Sequence, residues 1–305
     1  AVSKDYKEYK IINERWDYDD FFEILYNELK NNATFLKKVV DNNKFLIMDE
    51  MQDSNTIQWR ILKRLTDGGC HLFCVGDPSQ SIYGFRGADY SYLDKFVKRF
   101  KSGQVFPLTI NYRSSPELLA LTNLVRQDIN PLYPPLLSNM PSSSNPILTE
   151  LIDLDAVSKY IAQVVYDKLE QGYPIEEIKV LARTNNQVKT LNKTIEAYYL
   201  SIIEENDNAG IFVHGMFENL AMTMHKAKGT ECDISFVVDP RFSQFYRDSK
   251  DEHLRLHYVA LTRARRELYI CKSMNGDADF SESRHGDIHI LDRLATVPLV
   301  DLEFN

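Results

Sequence analysis

Two adjacent carboxylates directly follow a short apolar run near the start of the chain. The run is Phe45-Leu46-Ile47-Met48, which has the composition of a buried strand, and Asp49 and Glu50 come next. At the end of a parallel strand, one carboxylate could hold the water shell of Mg²⁺ while the other orients or deprotonates a water that attacks a phosphate. The same pair could instead begin a helix, where carboxylates interact favourably with the helix dipole. The string by itself does not decide between these interpretations.

The elements around this pair alternate between helix and strand. Amphipathic helices are predicted over about 19–38 and 54–65, on either side of the 45–48 strand. The apolar run 71–75 predicts a second buried strand, which stops at Gly76-Asp77-Pro78. Such alternation predicts an α/β fold with a parallel sheet.

The alternation continues on both sides of a loop at 130–146 that is rich in proline and serine. Two parallel-sheet units in one chain are therefore expected, with ligands bound at the carboxyl ends of their strands. The further predicted elements are helices over about 90–100, 155–171, 186–199 and 253–265, a helix that begins near 115, a polar break at 204–210, and strands over 105–110, 178–182, 221–224, 234–238 and 267–271.

The composition excludes several classes of protein. The chain has 305 residues, enough for about two domains, and no apolar run approaches the roughly 20 residues of a membrane helix. The polar start AVSKDYKEYK lacks the apolar core of a signal peptide, so a cytoplasmic protein without a membrane partner is expected. The formal net charge of −8 means that DNA binding would need a local basic groove. Without a C-x-x-C pair, the cysteines are predicted to be structural core thiols: Cys70, Cys74, Cys232 and Cys271.

Six polar segments occur in order along the chain, at predicted strand ends or turns. They are DEMQD at 49–53, VGDPSQSIYGFRGA at 75–88, NYRS at 111–114, LARTNNQ at 181–187, MTMHKAKGTE at 222–231 and YVALTRARREL at 258–268. Together with DYDDF at 17–21, they closely resemble the UvrD/Rep family of superfamily 1 helicases. One such string is a weak signal, whereas six in the order of the family are a specific one.

The resemblance implies two RecA-like domains of the P-loop NTPase type. Residues 1–106 would be the C-terminal part of the first domain, which would be incomplete, and residues 107–305 would be the second. Members of the family are ATP-driven motors that step along single-stranded DNA, usually 3′ to 5′, as the domains open and close over the nucleotide. The implied cofactors are ATP and Mg²⁺, the implied substrate is single-stranded or partly duplex DNA, and a nuclease or repair protein is the implied class of partner.

The resemblance also implies roles in ATP hydrolysis for five residues. Asp49 would coordinate Mg²⁺ through water, and Glu50 would be the general base. Gln80 would contact the γ-phosphate. Arg113 and Arg263 would act on the γ-phosphate as arginine fingers from the second domain, because a planar guanidinium grips phosphate oxygens at two points.

Two further residues are implied to contact the nucleoside. Tyr112 would stack on the adenine, and Glu231 would meet the ribose. The basic cluster at 263–266 also suits a plain helix C-terminus, where cations interact favourably with the dipole. Arg183 and Asn186 lie in the LARTNNQ segment and receive no chemical role.

The DNA track is implied to pass five residues. Tyr83 and Phe85 would stack on bases, and Arg86 would meet phosphate. His225 and Lys228 would lie beside the DNA backbone and the coupling loop of the second domain. These contacts suit sequence-independent binding, because every base has a π-face and every nucleotide a phosphate. By frequency alone, core packing is the commoner role for Tyr83 and Phe85, and His225 could equally be a core or capping histidine.

The sequence departs from the family in three places. It contains no G-x-x-x-x-G-K-S/T string, so we expect it to be the downstream part of a larger helicase and to be inactive alone as an ATPase. Between 187 and 222 there is room for little of the large helical accessory insertion of the family. Phe85 stands where tryptophan is common.

Two rival hypotheses remain beside the motor. In the first, the same residues form a nucleotide- or DNA-end-sensing module without turnover, which regulates a partner nuclease of the phage-defence type. In the second, the chain is a purely structural α/β protein, which does not explain why polar segments recur at successive strand ends.

Overall fold

The computed structural model describes residues 2–100, 102–206, 215–238, 250–273 and 301–304. The chain divides into two compact units, unit 1 from residue 1 to 105 and unit 2 from residue 106 to 305.

Unit 1 contains a two-stranded parallel sheet and helices. Phe45 of the first strand lies opposite His71 of the second, and Met48 lies opposite Cys74. The helix α4 connects the two strands, which makes the βαβ unit that the sequence predicts. The elements of unit 1 are α1 (Val2–Ile12), α2 (Tyr18–Asn31), α3 (Ala33–Asn42), β1 (Phe45–Met48), α4 (Thr56–Asp67), β2 (His71–Cys74), α5 (Ser91–Asp94) and α6 (Phe96–Arg99).

Asn32 divides the helix predicted over 19–38 into α2 and α3. Its backbone N–H donates to the carbonyl of Glu28 at 2.9 Å and closes α2. Its side chain accepts from the N–H of Phe35 at 3.0 Å and caps the start of α3. A short amide side chain competes well for the unpaired N–H groups of a first turn, so the prediction of one continuous helix was wrong.

The sheet of unit 1 is covered on one face. The inward side chains pack against the cores formed with α2, α3 and α4, namely Leu46, Met48, Leu72 and Cys74. The alternate side chains are exposed, namely Phe45, Ile47, Phe73 and Val75. The prediction of two buried strands was therefore wrong for this second face, because full burial of a parallel strand needs a layer on each side.

Unit 2 contains a six-stranded sheet of order β10-β5-β9-β8-β6-β7, in which every neighbouring pair is parallel. A separate parallel pair joins β3 and β4. The elements of unit 2 are β3 (Ile110–Asn111), α7 (Pro116–Ile129), β4 (Leu137–Ser138), β5 (Ile147–Leu151), α8 (Leu154–Glu170), β6 (Ile178–Ala182), α9 (Asn185–Glu205), β7 (Ala221–Thr223), β8 (Cys232–Val238), α10 (Lys250–Leu261), β9 (Ala264–Ser273) and β10 (Asp301–Phe304).

The core of unit 2 lies on both faces of this sheet. Ile234, Phe236 and Val238 of β8 pack in the cluster that α8 and α9 complete. The alternate residue Val237 is also fully buried, on the side where α7 and α10 contact β9 and β8. Burial of successive residues is the pattern of a strand with a helical layer on each face.

Two predicted elements of unit 2 need correction, and the sequence missed three of its strands. The strand predicted over 105–110 is reduced to Ile110 and Asn111, because the residues before it make no strand pairing. The helix predicted to end at 265 ends at Leu261. The sequence did not predict β5 or β10, nor β4, which falls within the loop predicted over 130–146. The polar break at 204–210 lies partly outside the described residues.

Both units nevertheless have the predicted α/β architecture with parallel sheets, the plan of RecA-like domains. The cysteines are free thiols, and Cys70, Cys232 and Cys271 are buried as predicted, with Cys74 half-buried. Among the described residues no helix is long and apolar enough to span a bilayer.

Candidate functional site

The two carboxylates of unit 1 lie at the carboxyl end of β1. The backbone pairing with β2 continues past the strand, since the N–H of Val75 donates to the carbonyl of Met48 at 2.8 Å and the N–H of Met51 to that of Val75 at 3.0 Å. Asp49 and Glu50 sit at this point and are both exposed. Their side chains are therefore accessible at the strand end, as the sequence predicts for a phosphate site.

Glu50 has a strained backbone. Its φ of 49° and ψ of 41° lie in the left-handed region, which residues other than glycine rarely adopt. The residue precedes a 3-10 turn, Met51–Asp53, and its side chain makes no capping bond there. The next α-helix, α4, is capped by Asn55 instead. Asp49 and Glu50 therefore do not begin an α-helix, so the alternative in which they are partners of a helix dipole does not hold for α4, and strain of this kind clusters at functional sites.

A chain of hydrogen bonds joins Glu50 to the loop after β2. The side-chain N–H of Gln52 donates to the carboxylate of Glu50, and its amide oxygen accepts from the N–H of Asp77 at 3.0 Å. The carboxylate of Asp77 accepts from the N–H of Ser79 at 3.0 Å and from the amide of Gln80 at 3.2 Å. The structure therefore brings the predicted base and the predicted γ-phosphate residue to one edge of the sheet. Sequence reasoning missed Gln52, whose only signal was a polar residue inside DEMQD.

The aromatic residues after β2 form an exposed cluster. The rings of Tyr83 and Phe85 meet edge to face with centroids 6.0 Å apart. The guanidinium carbon of Arg86 lies 5.0 Å from the first ring centroid and 5.5 Å from the second. Phe85 is 61% exposed, so core packing does not hold for it, while Tyr83 is half-buried. Gly87 closes this turn with a φ of 81°.

In unit 2 the NYRS segment packs against the start of β9. The side chain of Asn111 accepts from the N–H groups of Arg113 at 2.9 Å and Ser114 at 2.8 Å, which forms a tight turn. The hydroxyl of Ser114 donates to the carbonyl of Ala264 at 2.9 Å. Two segments that are 150 residues apart in the sequence therefore meet.

Glu231 lies between two arginines at this junction. Arg113 donates through Nε at 2.7 Å, and Arg265 donates through Nη1 at 3.1 Å. Partial burial by itself would raise the pKa of Glu231, but the hydrogen bonds and charges of these arginines outweigh it and lower the pKa. Arg265 also donates to Asp233 at 2.7 Å and to Glu177. The sequence pointed to Arg113 and Glu231 separately, and it did not single out Arg265.

Arg263 is buried in the interior of unit 2, with an exposed fraction of 2%. Its guanidinium donates to the carbonyls of Val259 at 2.7 Å and Thr230 at 2.9 Å and to the hydroxyl of Thr262 at 2.9 Å. Burial, followed by the nearby charge of Arg113, lowers its pKa to about 10. Because the Val259 carbonyl belongs to the last turn of α10, the alternative interpretation of this arginine as a helix C-terminal partner agrees with these contacts.

The remaining predicted residues of unit 2 lie in two places. Tyr112 is 70% exposed beside Arg113, so its ring face is accessible for stacking. His225 and Lys228 follow β7 in a turn, where both are half-buried. The Nδ1 atom of His225 lies 3.3 Å from the guanidinium of Arg183, which gives that arginine a contact that the sequence did not predict.

These residues supply some of the groups that Mg²⁺ and ATP would need. Mg²⁺ commonly takes one or two carboxylates together with waters and substrate phosphates, and the exposed pair Asp49 and Glu50 meets that need. No group of three or more His, Cys, Asp or Glu in the described part of the chain could hold a metal by itself. The printed sequence supplies no glycine-rich phosphate cradle of the G-x-x-x-x-G-K-S/T type.

Comparison with known families agrees with this arrangement in both units. Residues 1–101 match the UvrD/REP helicase N-terminal domain, and residues 220–271 match the UvrD-like helicase C-terminal domain. The chain therefore belongs to the UvrD/Rep-like helicase family.

Relatives of this chain include proteins named as DNA helicases. A probable DNA helicase of Mycoplasma pneumoniae is 29% identical over 279 residues, which cover 87% of this chain and 50% of that protein. DNA helicase II of Haemophilus influenzae is 29% identical over 197 residues, which cover 63% of this chain and 27% of that protein. The C-terminal domain of a possible DNA helicase of Lactobacillus plantarum aligns with a TM-score of 0.38 and 12% identity, over 63% of this chain and 98% of that chain. The chain thus spans half or less of these two full-length relatives.

Proposed function

We propose that the protein containing this chain is an ATP-dependent DNA helicase or translocase that moves along single-stranded DNA from 3′ to 5′. Residues 1–106 would be the C-terminal part of its first RecA-like domain, and residues 107–305 would be the second. The observation that carries the proposal is the connection of Glu50 to Gln80 through Gln52 and Asp77 at the carboxyl ends of neighbouring parallel strands. A general base and a phosphate contact on one sheet edge are what phosphoryl transfer to water requires.

In this proposal the residues of unit 1 handle the attacking water and the phosphate. Bound Mg²⁺ would neutralise charge on the phosphates. Asp49 would hold the water shell of that ion, and Glu50 would accept the proton of the attacking water at its carboxylate. Gln80 would donate its amide N–H to a phosphate oxygen.

Arg113 is the better supported of the two proposed arginine fingers. Its bond to Glu231 uses Nε, and the two Nη groups carry the donors that would meet phosphate oxygens. Arg263 would reach a phosphate only after exchanging its bonds to Val259, Thr230 and Thr262. We keep the predicted roles of Tyr112 at the adenine and Glu231 at the ribose, since each carboxylate oxygen of Glu231 can accept a further hydrogen bond beside its arginine.

DNA is the proposed substrate of both units. The exposed ring of Phe85 supports stacking on a base, and Arg86 beside it supports a phosphate contact. Tyr83, His225 and Lys228 are proposed as further contacts of the same track. A nuclease or repair partner stays a prediction of the resemblance.

Because the chain spans half or less of its relatives, hydrolysis and translocation are proposed for the whole protein. The 305-residue chain contains no phosphate-binding loop of the Walker type, and we expect it to turn over ATP negligibly by itself. This expectation is checked by assaying the isolated chain beside the product of the full reading frame.

The test is the steady-state ATPase activity of that full product, with and without single-stranded DNA, in the Glu50→Gln form. DNA-stimulated turnover should fall by about 10²–10⁴-fold if Glu50 is the general base. Glu14→Gln is the matched control, because Glu14 is also an exposed glutamate of unit 1 with a φ of 51°. If the unaltered protein binds nucleotide and DNA without turnover, the motor proposal fails and the site is better explained by the hypothesis of a sensing module.

A further inference from the structure

Gln52 is a polar residue in the interior of unit 1 that joins two functional segments. Its exposed fraction is 1%. Both ends of its amide are used, by the Glu50 carboxylate on one side and the Asp77 N–H on the other. Its backbone carbonyl also accepts from the hydroxyl of Ser81 at 2.9 Å. A buried amide held at both ends has one preferred orientation, since rotation would leave buried polar groups unpaired.

Gly76 is the residue that leaves space for this amide. A Cβ atom at Gly76 would lie 2.5 Å from Oε1 of Gln52 and 3.2 Å from the backbone nitrogen of Met51, and 3.0 Å from a methyl carbon of Leu93. A contact of 2.5 Å is not tolerated, so a larger residue would displace the amide from the Asp77 N–H. The glycine is therefore required here by close approach and not by a left-handed φ.

The path continues from Gln52 to the side chain of Gln80. Asp77 receives the Gln52 bond at its backbone N–H, and its carboxylate accepts from the amide of Gln80. Each link is a hydrogen bond between side chain and backbone or between two side chains, so a change at Gln80 can alter the orientation of Glu50.

We propose that Gln52 is a positioning residue that fixes the Glu50 carboxylate relative to the loop that carries Gln80. The absence of a Cβ atom at Gly76 leaves the space for the amide of Gln52. The proposal rests on the proposed function, because it assigns Gln52 to the hydrolysis of ATP by that site. It deepens that function by making the orientation of the base depend on the phosphate contact, and by reciprocity the phosphate contact depends on the base.

The first test uses the 305-residue chain and needs no catalysis. Amide hydrogen exchange at Asp77 should be about tenfold faster in Gln52→Leu, because this half-buried N–H loses its acceptor. Gln58→Leu is the control, since Gln58 belongs to the capping box of α4 and has no bond to this loop. Unchanged exchange at Asp77 in Gln52→Leu would overturn the connection, whatever the protein does with ATP.

The second test uses the full protein and separates positioning from plain stability. In Gln52→Glu the new side chain keeps an acceptor for Asp77 but presents no amide N–H to the Glu50 carboxylate, so kcat should fall about tenfold or more with KM for ATP within about twofold. Gly76→Ala should lower kcat about tenfold or more with KM for ATP within about twofold, because misplacement of a catalytic group acts on the chemical step. Gln58→Leu should leave kcat and KM for ATP within about twofold of the unaltered protein.

The outcomes distinguish the two proposals. If the unaltered protein has no ATPase activity, the proposed function fails and the exchange experiment alone decides the connection. If the unaltered protein is active and Gln52→Glu keeps the unaltered kcat, the positioning role is wrong even though the motor stands. Because Gln52→Leu could lose stability, Gln52→Glu and Gly76→Ala keep the second test decisive.

Discussion

Apolar strand residues of the two units lie in different surroundings. Ile47 in β1 is 78% exposed, whereas Ile234 in β8 has no exposed surface. Helices cover one face of the sheet in unit 1, and helices lie on both faces of the sheet in unit 2. The comparison teaches that strand composition identifies a parallel strand, but the number of packed layers decides how much of that strand is buried.

The predicted functional side chains of the two units also differ in how firmly the surrounding structure holds them. In unit 1 the carboxylates of Asp49 and Glu50 and the ring of Phe85 are exposed, and the two carboxylates lie at the carboxyl end of a strand in a two-stranded sheet. The backbone of Glu50 is also strained. The arginines of unit 2 are held by acidic side chains or buried against backbone carbonyls. We therefore expect substitutions in unit 2 to act mainly on stability, and matched substitutions in unit 1 to act much less on it.

The largest contrast is expected between two isoleucines. Ile234→Ala should lower the free energy of unfolding of unit 2 by about 2–5 kcal/mol, because it leaves a cavity between packed layers. Ile47→Ala should change the stability of unit 1 by less than about 0.5 kcal/mol, because its side chain is already in contact with solvent. Urea unfolding of both variants measures the difference. Equal losses would mean that the outer face of β1 is covered in solution.

Removal of an ion pair should also destabilise unit 2 more than unit 1, by smaller amounts than the isoleucine substitutions. Arg265→Met should destabilise unit 2 by about 1–3 kcal/mol, a value reduced for partial exposure, because Glu177, Glu231 and Asp233 lose their shared cation. Lys63→Met, which removes the exposed i,i+4 pair with Asp67 in unit 1, should cost less than about 0.5 kcal/mol. Thermal unfolding at low and high salt checks both values. A large salt effect for Arg265→Met alone is the expected pattern.

Alkaline pH should weaken unit 2 through a buried thiol. Burial raises the pKa of Cys232 to about 12 from its ordinary value of 9.0. The folded state therefore keeps a proton that the unfolded state loses, so this contribution is complete below pH 9 and is lost as the pH rises toward 12. The slope is at most about 1.4 kcal/mol per pH unit. Comparison of the unfolding free energy of the unaltered chain and Cys232→Ala between pH 8 and 10.5 isolates it, and parallel curves would contradict it.

The smallest effect is expected where two helices end in the same way. After α1, Glu14 donates its N–H to Ile11 at 3.3 Å and has a φ of 51°, while after α8, Gly172 donates to Leu169 at 2.9 Å and has a φ of 88°. Glycine has no Cβ penalty in this conformation. Glu14→Gly should therefore stabilise unit 1 by about 0.5–1 kcal/mol, and Gly172→Ala should destabilise unit 2 by a similar amount. Thermal denaturation of both variants measures the two signs, and a loss in each would refute the comparison.

The sequence anticipated a large part of the fold for local reasons. The spacing of apolar residues places strand β6 at its observed bounds and predicts α8 to within a residue. It failed at Asn32, whose backbone closes one helix and whose side chain caps the next, and over 105–109, which belong to no strand. Both failures lie outside what apolar periodicity reports, because it shows which face is hydrophobic and shows neither a capping hydrogen bond nor a strand partner.

What the sequence determined by itself is the family, the α/β class and the positions of Asp49, Glu50 and Gln80 at strand ends or turns. What only the tertiary structure decided is which groups meet: Gln52 with Asp77, Arg113 with Glu231 at a separation of 118 residues, and Arg263 with the interior of unit 2. The physical reason is that residue type and spacing act over a few turns of chain, whereas hydrogen bonds and burial depend on segments that packing alone brings within about 3 Å of each other.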